Sequence, residues 1–514
     1  MFDYIEKHFV SFTFSLCLLL CLATSTFFNS SPLDEYSSSY FIITIFFIFA
    51  AESFVSRIKL CSLSLFLFIN LFIIDAPTFL FLIAEYILLL CFTWMNRHKH
   101  NIYIFSIIIA AFLLHLNYIL NTTTDIRQHD LSGVILYMNE ITRNGFNFWE
   151  FNPWYMYYLF HQPLHFLVAG YLFKIGLYWG LPSSLSLENL QYLSLFYVTL
   201  TSVIAAIILQ KFTIEKTSFY AGLLLFCFNP TLSLFSGYIS DDVPTIFWSV
   251  SSIYFAFQWY QKEKIQYIVL LALGFSFGVL TKLSTLMLVP SLSFLFAHKL
   301  LISAHRKDTL QQLCYFILIA VPIALFWIIR NHLLFDMQFY NIPDTSPAGQ
   351  NFKYLTLLER IGDLSMISVP FINAPTISDT NIFLAIIKTE LFGEWDLSIL
   401  HRVIYFPALG IYILNILLKI LALISCMISL KSAMKKPLLG FFCLLYLTLW
   451  GYSLKYTVDY PYICSANFRL FAQLILPEVI LLAHIFDLYK KSTVLFALTI
   501  LYTVLSCFIY VFGI

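Results

Sequence analysis

The sequence has 514 residues, of which 60% are apolar and only 11% are charged, and its formal net charge is +1. A soluble globular domain is typically about 45–50% apolar and about 25% charged. The composition therefore excludes an ordinary water-soluble enzyme, a disordered chain and a fibrous protein. A net charge this small also gives no global field that would attract nucleic acid.

Apolar runs of membrane-crossing length follow one another along the chain and predict an all-α polytopic integral membrane protein. About fifteen spans of about 20 residues each would use roughly the number of apolar residues present. The predicted spans are 11–28, 40–55, 60–75, 78–95, 102–120, 191–210, 217–233, 243–260, 265–281, 284–302, 312–330, 403–428, 437–453, 472–488 and 493–512.

The basic residues between these spans predict the orientation, because short cytoplasmic loops are enriched in Lys and Arg. Lys7 places the N-terminus inside, and the later basic loops also fall inside if the apolar stretch 163–180 does not cross the membrane. We interpret that stretch as a juxtamembrane or re-entrant helix on the outer face. Backbone that enters a membrane without crossing must be buried in protein or line a cavity, which predicts a site beside it.

This topology divides the chain into five parts. They are an N-terminal transmembrane extension (1–120), a first outer loop with juxtamembrane helices (121–190), a transmembrane core (191–330), a large outer loop (331–402) and C-terminal transmembrane helices (403–514).

Five basic residues break the charge rule by lying on or near the predicted outer face. A cation at a membrane boundary is costly unless it reaches the interface or is paired. Each one singly is explained by such snorkelling or by a local salt bridge. Together with acidic residues on the same face they indicate an anionic ligand, because arginine makes bidentate charge-assisted bonds to phosphate. The five are Arg127, Arg143, Lys282, Arg330 and Arg469.

The acidic residues of that face have a structural and a catalytic interpretation. Asp130 precedes a segment with helical spacing that ends before Gly145, and Asp242 precedes Pro244, so both could be helix caps. A carboxylate could also accept a proton from an acceptor hydroxyl. Two or more could hold a divalent cation, so a metal site stays open at this stage.

Seven short motifs on this face occur in a fixed order along residues 121–480. They are Gln128-His129-Asp130 followed by Gly133 and Tyr137, His161-Gln162-Pro163-Leu164-His165-Phe166, Ser240-Asp241-Asp242, Leu280-Thr281-Lys282, Arg330-Asn331, Leu391-Phe392-Gly393-Glu394-Trp395 and Asn467-Phe468-Arg469.

The order of these motifs resembles the multispanning glycosyltransferases of the GT-C superfamily, which include the protein O-mannosyltransferases and the aminoarabinose transferase of lipid A. The sequence departs from the family pattern in several places. A second proline is missing after Pro163, Val134 stands where a histidine is common, and five predicted spans instead of one precede the first motif. The resemblance gives residues 1–100 no role.

The resemblance implies an enzyme that transfers a sugar, with inversion, from a polyprenyl-phosphate donor to an acceptor hydroxyl on the extracytoplasmic face. Asp130 would be the general base, and His129, Asp125 and Asp242 would orient it or bind a cation. The donor phosphate would be held by Lys282, Arg330 and Arg469. Substrate binding would also involve Asp241, Asp242, His161, Gln162 and Glu394.

The large outer loop would close over the acceptor. Its segment 353–366 could lie in the interface as an amphipathic helix with Tyr354, Leu357, Leu358 and Ile361 on one face, or pack on neighbouring loops. Two other functions stay open: an O-antigen polymerase or ligase, and a transporter or flippase of lipid-linked sugars. The expected partners are the donor lipid, a lipid, glycan or protein acceptor, and the bilayer, with no nucleic acid. The resemblance implies the bacterial inner membrane, or the endoplasmic reticulum if the protein is eukaryotic.

Overall fold

A computed structural model describes most of the chain beyond residue 99. The described residues are 100–128, 130–143, 151–154, 157–178, 180–337, 352–372, 379–396, 402–489 and 493–512. The first four predicted spans, His129 and Gly145 lie outside the described residues.

Helices make up the regular secondary structure of the described residues, and short 3-10 turns join several of them. Numbered from the first described helix, the α-helices are α1 His100–Asn121, α2 Leu131–Arg143, α3 Leu164–Tyr178, α4 Ser183–Phe212, α5 Lys216–Cys227, α6 Pro230–Gly237, α7 Asp242–Lys262, α8 Ile265–Thr281, α9 Val289–Ile302, α10 Arg306–Phe335, α11 Leu357–Gly362, α12 Ile382–Phe392, α13 Tyr405–Leu430, α14 Pro437–Asp459, α15 Ile475–Leu488 and α16 Thr493–Phe512.

The prediction of an all-α polytopic membrane protein is confirmed. Within the described residues, 8 helical segments are long and apolar enough to cross a membrane. Every span predicted from 102–120 onward falls on helical structure, although 217–233 is divided between α5 and α6 and the spans 284–302, 403–428 and 472–488 begin in 3-10 turns. The helix α10 continues to Phe335, five residues beyond the predicted end at 330, so Arg330 lies inside a helix instead of opening a loop.

The helices pack in an order that leaves some inside the bundle and others at its surface. The helix α7 packs against both α4 and α8, and α8 packs in turn on α10. Most of α4 is buried, whereas α10 exposes apolar side chains such as Ile317, Leu318 and Val321. Exposed apolar side chains along a spanning helix are what a surface facing lipid requires, because lipid tails are themselves apolar.

The short helix α6 sets the position of the acidic turn that follows it. Asn229 caps α6 by accepting from Thr231 N at 2.9 Å, and Pro230 occupies the first turn. At the other end, a Cβ on Gly237 would lie 2.7 Å from Tyr118 Cε1. Only glycine permits this contact, so the end of α6 is held against α1.

The stretch 163–180 forms the helix α3, which packs on α2 and α4. Its 15 residues extend about 22 Å at 1.5 Å per residue, short of the hydrocarbon thickness of about 30 Å. This length agrees with a helix that does not cross. The membrane face on which it lies stays a prediction.

Candidate functional site

The loop after α1 is fixed by side chains on both sides of it. The side chain of Gln128 donates to Gly237 O and accepts from Ile239 N at 3.0 Å, so one amide holds two backbone groups of the turn after α6. Glu188 accepts from Thr124 N at 2.9 Å and from Thr124 Oγ1 at 2.7 Å. The end of the loop, which carries Asp130, is therefore attached to the helical bundle.

Asp130 itself departs from the expected capping geometry. Its φ is +53°, whereas an N-cap residue usually has an extended backbone. Its carbonyl accepts from Val134 N at 3.1 Å, and its carboxylate forms an ion pair with Arg469 Nη2 at 3.0 Å. The carboxylate is therefore directed to a partner far away in the sequence.

The turn between α6 and α7 carries two buried carboxylates. The helix α7 begins at Asp242, and the preceding Asp241 makes no capping hydrogen bond. The interpretation of this turn as a helix cap is therefore wrong. The carboxylates instead face cations from two other parts of the chain, and Ser240 Oγ donates to Asp242 Oδ2 at 3.2 Å.

Lys282, which lies directly after α8 in an extended conformation, supplies the first of these cations. Its ammonium lies 3.5 Å from Asp241 Oδ1 and pairs closely with Asp242 Oδ1. Burial alone would raise the pKa of Asp241, but Lys282 and His161 outweigh burial and hold it below its usual range. Burial lowers the pKa of Lys282, and the two carboxylates more than reverse this, so its pKa is raised.

Arg469 is the second cation, and it joins the two acidic segments. Asn467 accepts from Arg469 N at 3.1 Å and so caps the 3-10 turn Phe468–Leu474. The guanidinium reaches Asp130 Oδ2 at 3.0 Å and Asp242 Oδ2 at 3.5 Å. One arginine therefore connects the first predicted motif with the turn before α7.

His161 completes the group from the side of α3. Its Nδ1 lies 3.4 Å from Asp241 Oδ2, and its carbonyl accepts from Tyr137 OH at 3.1 Å. The next residue, Gln162, is buried. We call the six residues that these contacts join the charged cluster: Asp130, His161, Asp241, Asp242, Lys282 and Arg469.

Glu394 lies beside the segment that carries Arg469. It accepts from Asn467 Nδ2 at 2.6 Å. The preceding Gly393 has φ +62°, a left-handed conformation, and a Cβ there would lie 3.1 Å from Tyr238 OH. The end of α12 can therefore turn toward Asn467 only because residue 393 is glycine.

Two other predicted site residues have described contacts outside the charged cluster. Asp125 is exposed and accepts from Thr123 Oγ1 within its own turn. Arg330 is buried, its guanidinium lies over the rings of Trp327 and Phe335, and it donates to Phe151 O and to Asn331 Oδ1 at 2.7 Å. These contacts give Arg330 a role in packing α10 against residue 151.

The charged cluster does not fit a divalent cation. Among the residues that the structure describes, no group of three or more His, Cys, Asp or Glu side chains could hold a metal ion. Lys282 and Arg469 also occupy oxygens of Asp241 and Asp242 and would repel a cation. We therefore derive no step that uses a metal.

A second buried ionic group was not predicted from the sequence. Lys419 lies 2.6 Å from Glu390 Oε2 and 2.8 Å from Glu478 Oε2, and Asn415 donates to Glu390 at 3.0 Å. Single charges inside apolar runs were the available signal, since charged residues within membrane spans are costly and require partners. This triad joins α12 to α13 and α15.

The helix α12 in turn contacts the segment that carries Arg469. Thr389 Oγ1 accepts from Phe468 N at 2.9 Å, one residue before Arg469. The triad of Glu390, Lys419 and Glu478 therefore fixes the helix on which the Arg469 segment rests.

Comparisons with known proteins find partial matches. Residues 181–335 match the family model described as dolichyl-phosphate-mannose-protein mannosyltransferase, which covers less than half of the chain. The matched residues include Asp241, Asp242 and Lys282. No curated protein sequence matches the chain.

One solved structure is similar in part. It is described as the archaeal oligosaccharyltransferase AglB from Archaeoglobus fulgidus in complex with an inhibitory peptide and a dolichol-phosphate. The identity is 14%, the TM-score is 0.42, and the alignment covers 81% of this chain. The chain spans 56% of the length of that structure, and a similarity this low carries no argument about the site.

The helical bundle and its charged cluster define a multispanning membrane protein that carries a candidate active site. The family-model match lies on the helices that carry the acidic turn and Lys282, and it makes this part of the chain similar to the dolichyl-phosphate-mannose-protein mannosyltransferases.

Proposed function

We propose that the protein transfers a sugar, with inversion, from a polyprenyl-phosphate donor to an acceptor hydroxyl on the extracytoplasmic face of its membrane. The acceptor is a lipid, a glycan or a protein. The observation that carries this proposal is the double contact of Arg469, which reaches Asp130 at 3.0 Å and Asp242 at 3.5 Å. Arg469, the candidate ligand of the donor phosphate, therefore directly contacts Asp130, the candidate base.

Asp130 is the general base in this proposal. Its side chain is 40% exposed, so an acceptor hydroxyl can approach it, whereas the side chain of Asp242 is fully buried. A positioned base contributes about 10²–10⁴-fold to a rate. The attack of the acceptor oxygen on the anomeric carbon breaks the bond to the donor phosphate oxygen, and the hydroxyl proton goes to Asp130.

Arg469 and Lys282 stabilise the polyprenyl phosphate that leaves. Negative charge develops on the bridging oxygen as the glycosidic bond breaks, and preorganised cations favour that state. Lys282 is held by two carboxylates, and Arg469 is held by Asp242 and by the backbone bond to Asn467. Both are therefore in place before the donor binds.

The donor phosphate also changes the state of the base. Arg469 pairs with Asp130 in this structure, so an incoming phosphate competes with Asp130 for the guanidinium. Arginine binds phosphate oxygens in the same bidentate fork geometry that it offers a carboxylate, so the donor phosphate can replace Asp130. Donor binding then frees the carboxylate of Asp130 to accept a proton from the second substrate.

A comparison of lipid-linked sugars and surface glycans by mass spectrometry tests the function. Cells that lack the gene are complemented with wild type, with Asp130→Asn or with Asp125→Asn at matched expression. We expect wild type and Asp125→Asn to restore one sugar, and Asp130→Asn to leave it missing while its lipid-linked donor accumulates. Full restoration by Asp130→Asn would rule out the base assignment. A glycan that changes only in chain length would indicate a polymerase or ligase instead.

A further inference from the structure

His165 is a buried histidine next to the charged cluster with unused hydrogen-bonding capacity. It lies at the start of α3, its side chain is 3% exposed, and neither ring nitrogen has a hydrogen-bond partner within the described part of the chain. A buried polar group without a partner costs free energy unless a ligand or water satisfies it. His165 belongs to the motif that begins at His161, and the family resemblance implies no role for it.

The surroundings of His165 point toward the donor site. It interacts electrostatically with Asp241, Asp242 and Lys282. Burial is the main reason that its pKa is lowered to about 4, and the imidazole is therefore neutral at neutral pH. A neutral imidazole has one N–H donor and one nitrogen acceptor.

Asp241, in the charged cluster, also has unused hydrogen-bonding capacity. Its Oδ1 faces Lys282, whereas its buried Oδ2 has a 3.4 Å contact with His161 Nδ1 and no other partner among the described residues. The available groups around this point are thus one N–H donor, one neutral nitrogen acceptor and one carboxylate acceptor.

Only some ligands match such a set. A phosphate oxygen accepts hydrogen bonds but cannot donate to a carboxylate, and its charge would be repelled by Asp241. Hydroxyl groups both donate and accept, so different hydroxyls of one sugar can donate to Asp241 Oδ2, accept from the imidazole N–H and donate to the other ring nitrogen.

We propose that His165 and Asp241 form the subsite that binds hydroxyl groups of the transferred sugar, beside the phosphate held by Lys282 and Arg469. This proposal rests on the proposed function. The sugar moiety lies on the side of α3, and the phosphate lies on the side of Arg469. A site that hydrogen-bonds a substrate hydroxyl discriminates strongly against a ligand without it, because its own polar groups are then left unpaired.

Binding of donor lipids to the purified full-length chain tests this subsite. The probes are polyprenyl phosphate without a sugar and four polyprenyl-phosphate sugars that carry mannose, glucose, galactose or arabinose. We expect wild type to bind at least one sugar-bearing lipid more tightly than the sugar-free lipid. His165→Phe should lose about 10-fold or more of that affinity and bind sugar-free polyprenyl phosphate as wild type does.

Two further variants separate recognition from folding. His165→Gln keeps a donor and an acceptor and should recover part of the preference for the sugar. His115 is also a buried histidine, with Nε2 unpartnered among the described residues, and it lies in α1. His115→Phe should leave the preference unchanged.

The outcomes distinguish this inference from the proposed function. If His165→Phe keeps the full preference, or if wild type prefers none of the four sugars, the subsite assignment is wrong although the phosphate site can still be right. The proposed function fails, and the subsite fails with it, if wild type does not bind polyprenyl phosphate or if Lys282→Met binds it as tightly as wild type does.

Discussion

The guanidinium of Arg469 contacts Asp130 at 3.0 Å, although 339 positions separate the two residues in the chain. The same guanidinium reaches the buried carboxylate of Asp242 at 3.5 Å. Three distant segments are therefore joined by one side chain. The acidic residue with the more exposed side chain is Asp130, which is consistent with a proposed role at the acceptor.

Replacement of Arg469 by lysine tests whether this double contact matters. A lysine keeps the charge but has no planar fork that can reach two carboxylates at once. Hydrogen bonds to charged groups contribute about 1.5–3 kcal/mol, so we expect about a 10–100-fold decrease in donor affinity. Donor titration of purified Arg469→Lys measures it. Arg143→Lys, at the exposed end of α2, is the matched control, and an equal decrease in both variants would contradict the prediction.

The ion pairs of Lys282 predict a pH dependence of stability. The pKa of Asp241 is lowered, so its stabilising contribution is present above its unfolded pKa of about 3.9 and is lost as the pH falls through the folded pKa. The pKa of Lys282 is raised, so its contribution is present below about 10.4 and is lost as the pH rises through the folded value. Between these limits the two groups add no pH dependence.

The variant Lys282→Met should behave differently in acid. Without the ammonium, burial dominates and raises the pKa of Asp241, so protonation of Asp241 favours the folded state. We expect a lower Tm than wild type at pH 7, and a difference that narrows as the pH falls toward 5. Thermal unfolding in detergent at several pH values measures this. A difference in Tm that stays constant with pH would show that the pKa of Asp241 does not depend on Lys282.

The buried triad of Glu390, Lys419 and Glu478 predicts an unequal response to partial and complete removal of charge. Lys419→Met leaves two buried carboxylates without their cation and should cost about 3–5 kcal/mol. The triple variant Glu390→Gln, Lys419→Met, Glu478→Gln has no buried charge and should unfold much closer to wild type. Thermal unfolding measures the stability of the single and the triple variant. The prediction fails if the triple variant is the less stable of the two.

Gln128 should act as a positioning residue for Asp130. Its amide both donates to Gly237 O and accepts from Ile239 N, and leucine can do neither. We expect Gln128→Leu to lower kcat about 10–100-fold while the donor Kd changes little, because small displacements of a catalytic group are costly. Steady-state kinetics with a donor binding assay separate the two quantities. The exposed Gln311→Leu is the control, and a loss of donor affinity that accounts for the whole effect would argue for a different role.

The sequence predicted the class of the protein and the places of its helices well. Long apolar runs can satisfy their backbone in a membrane only as helices, so the spans from residue 102 onward are fixed by local composition. The motifs also identified the members of the charged cluster as candidate site residues, because charged residues at the ends of apolar spans stand out in the sequence.

Only the tertiary structure decided which of those candidates meet. Arg330 and Arg469 look alike in the sequence, yet helix packing places one over the rings of Trp327 and Phe335 and the other between two carboxylates. His165 and Lys419 stand in apolar runs and reveal their neighbours only when the bundle is assembled. Local composition determines that a segment becomes a helix, whereas contacts across hundreds of residues depend on how all the helices pack together.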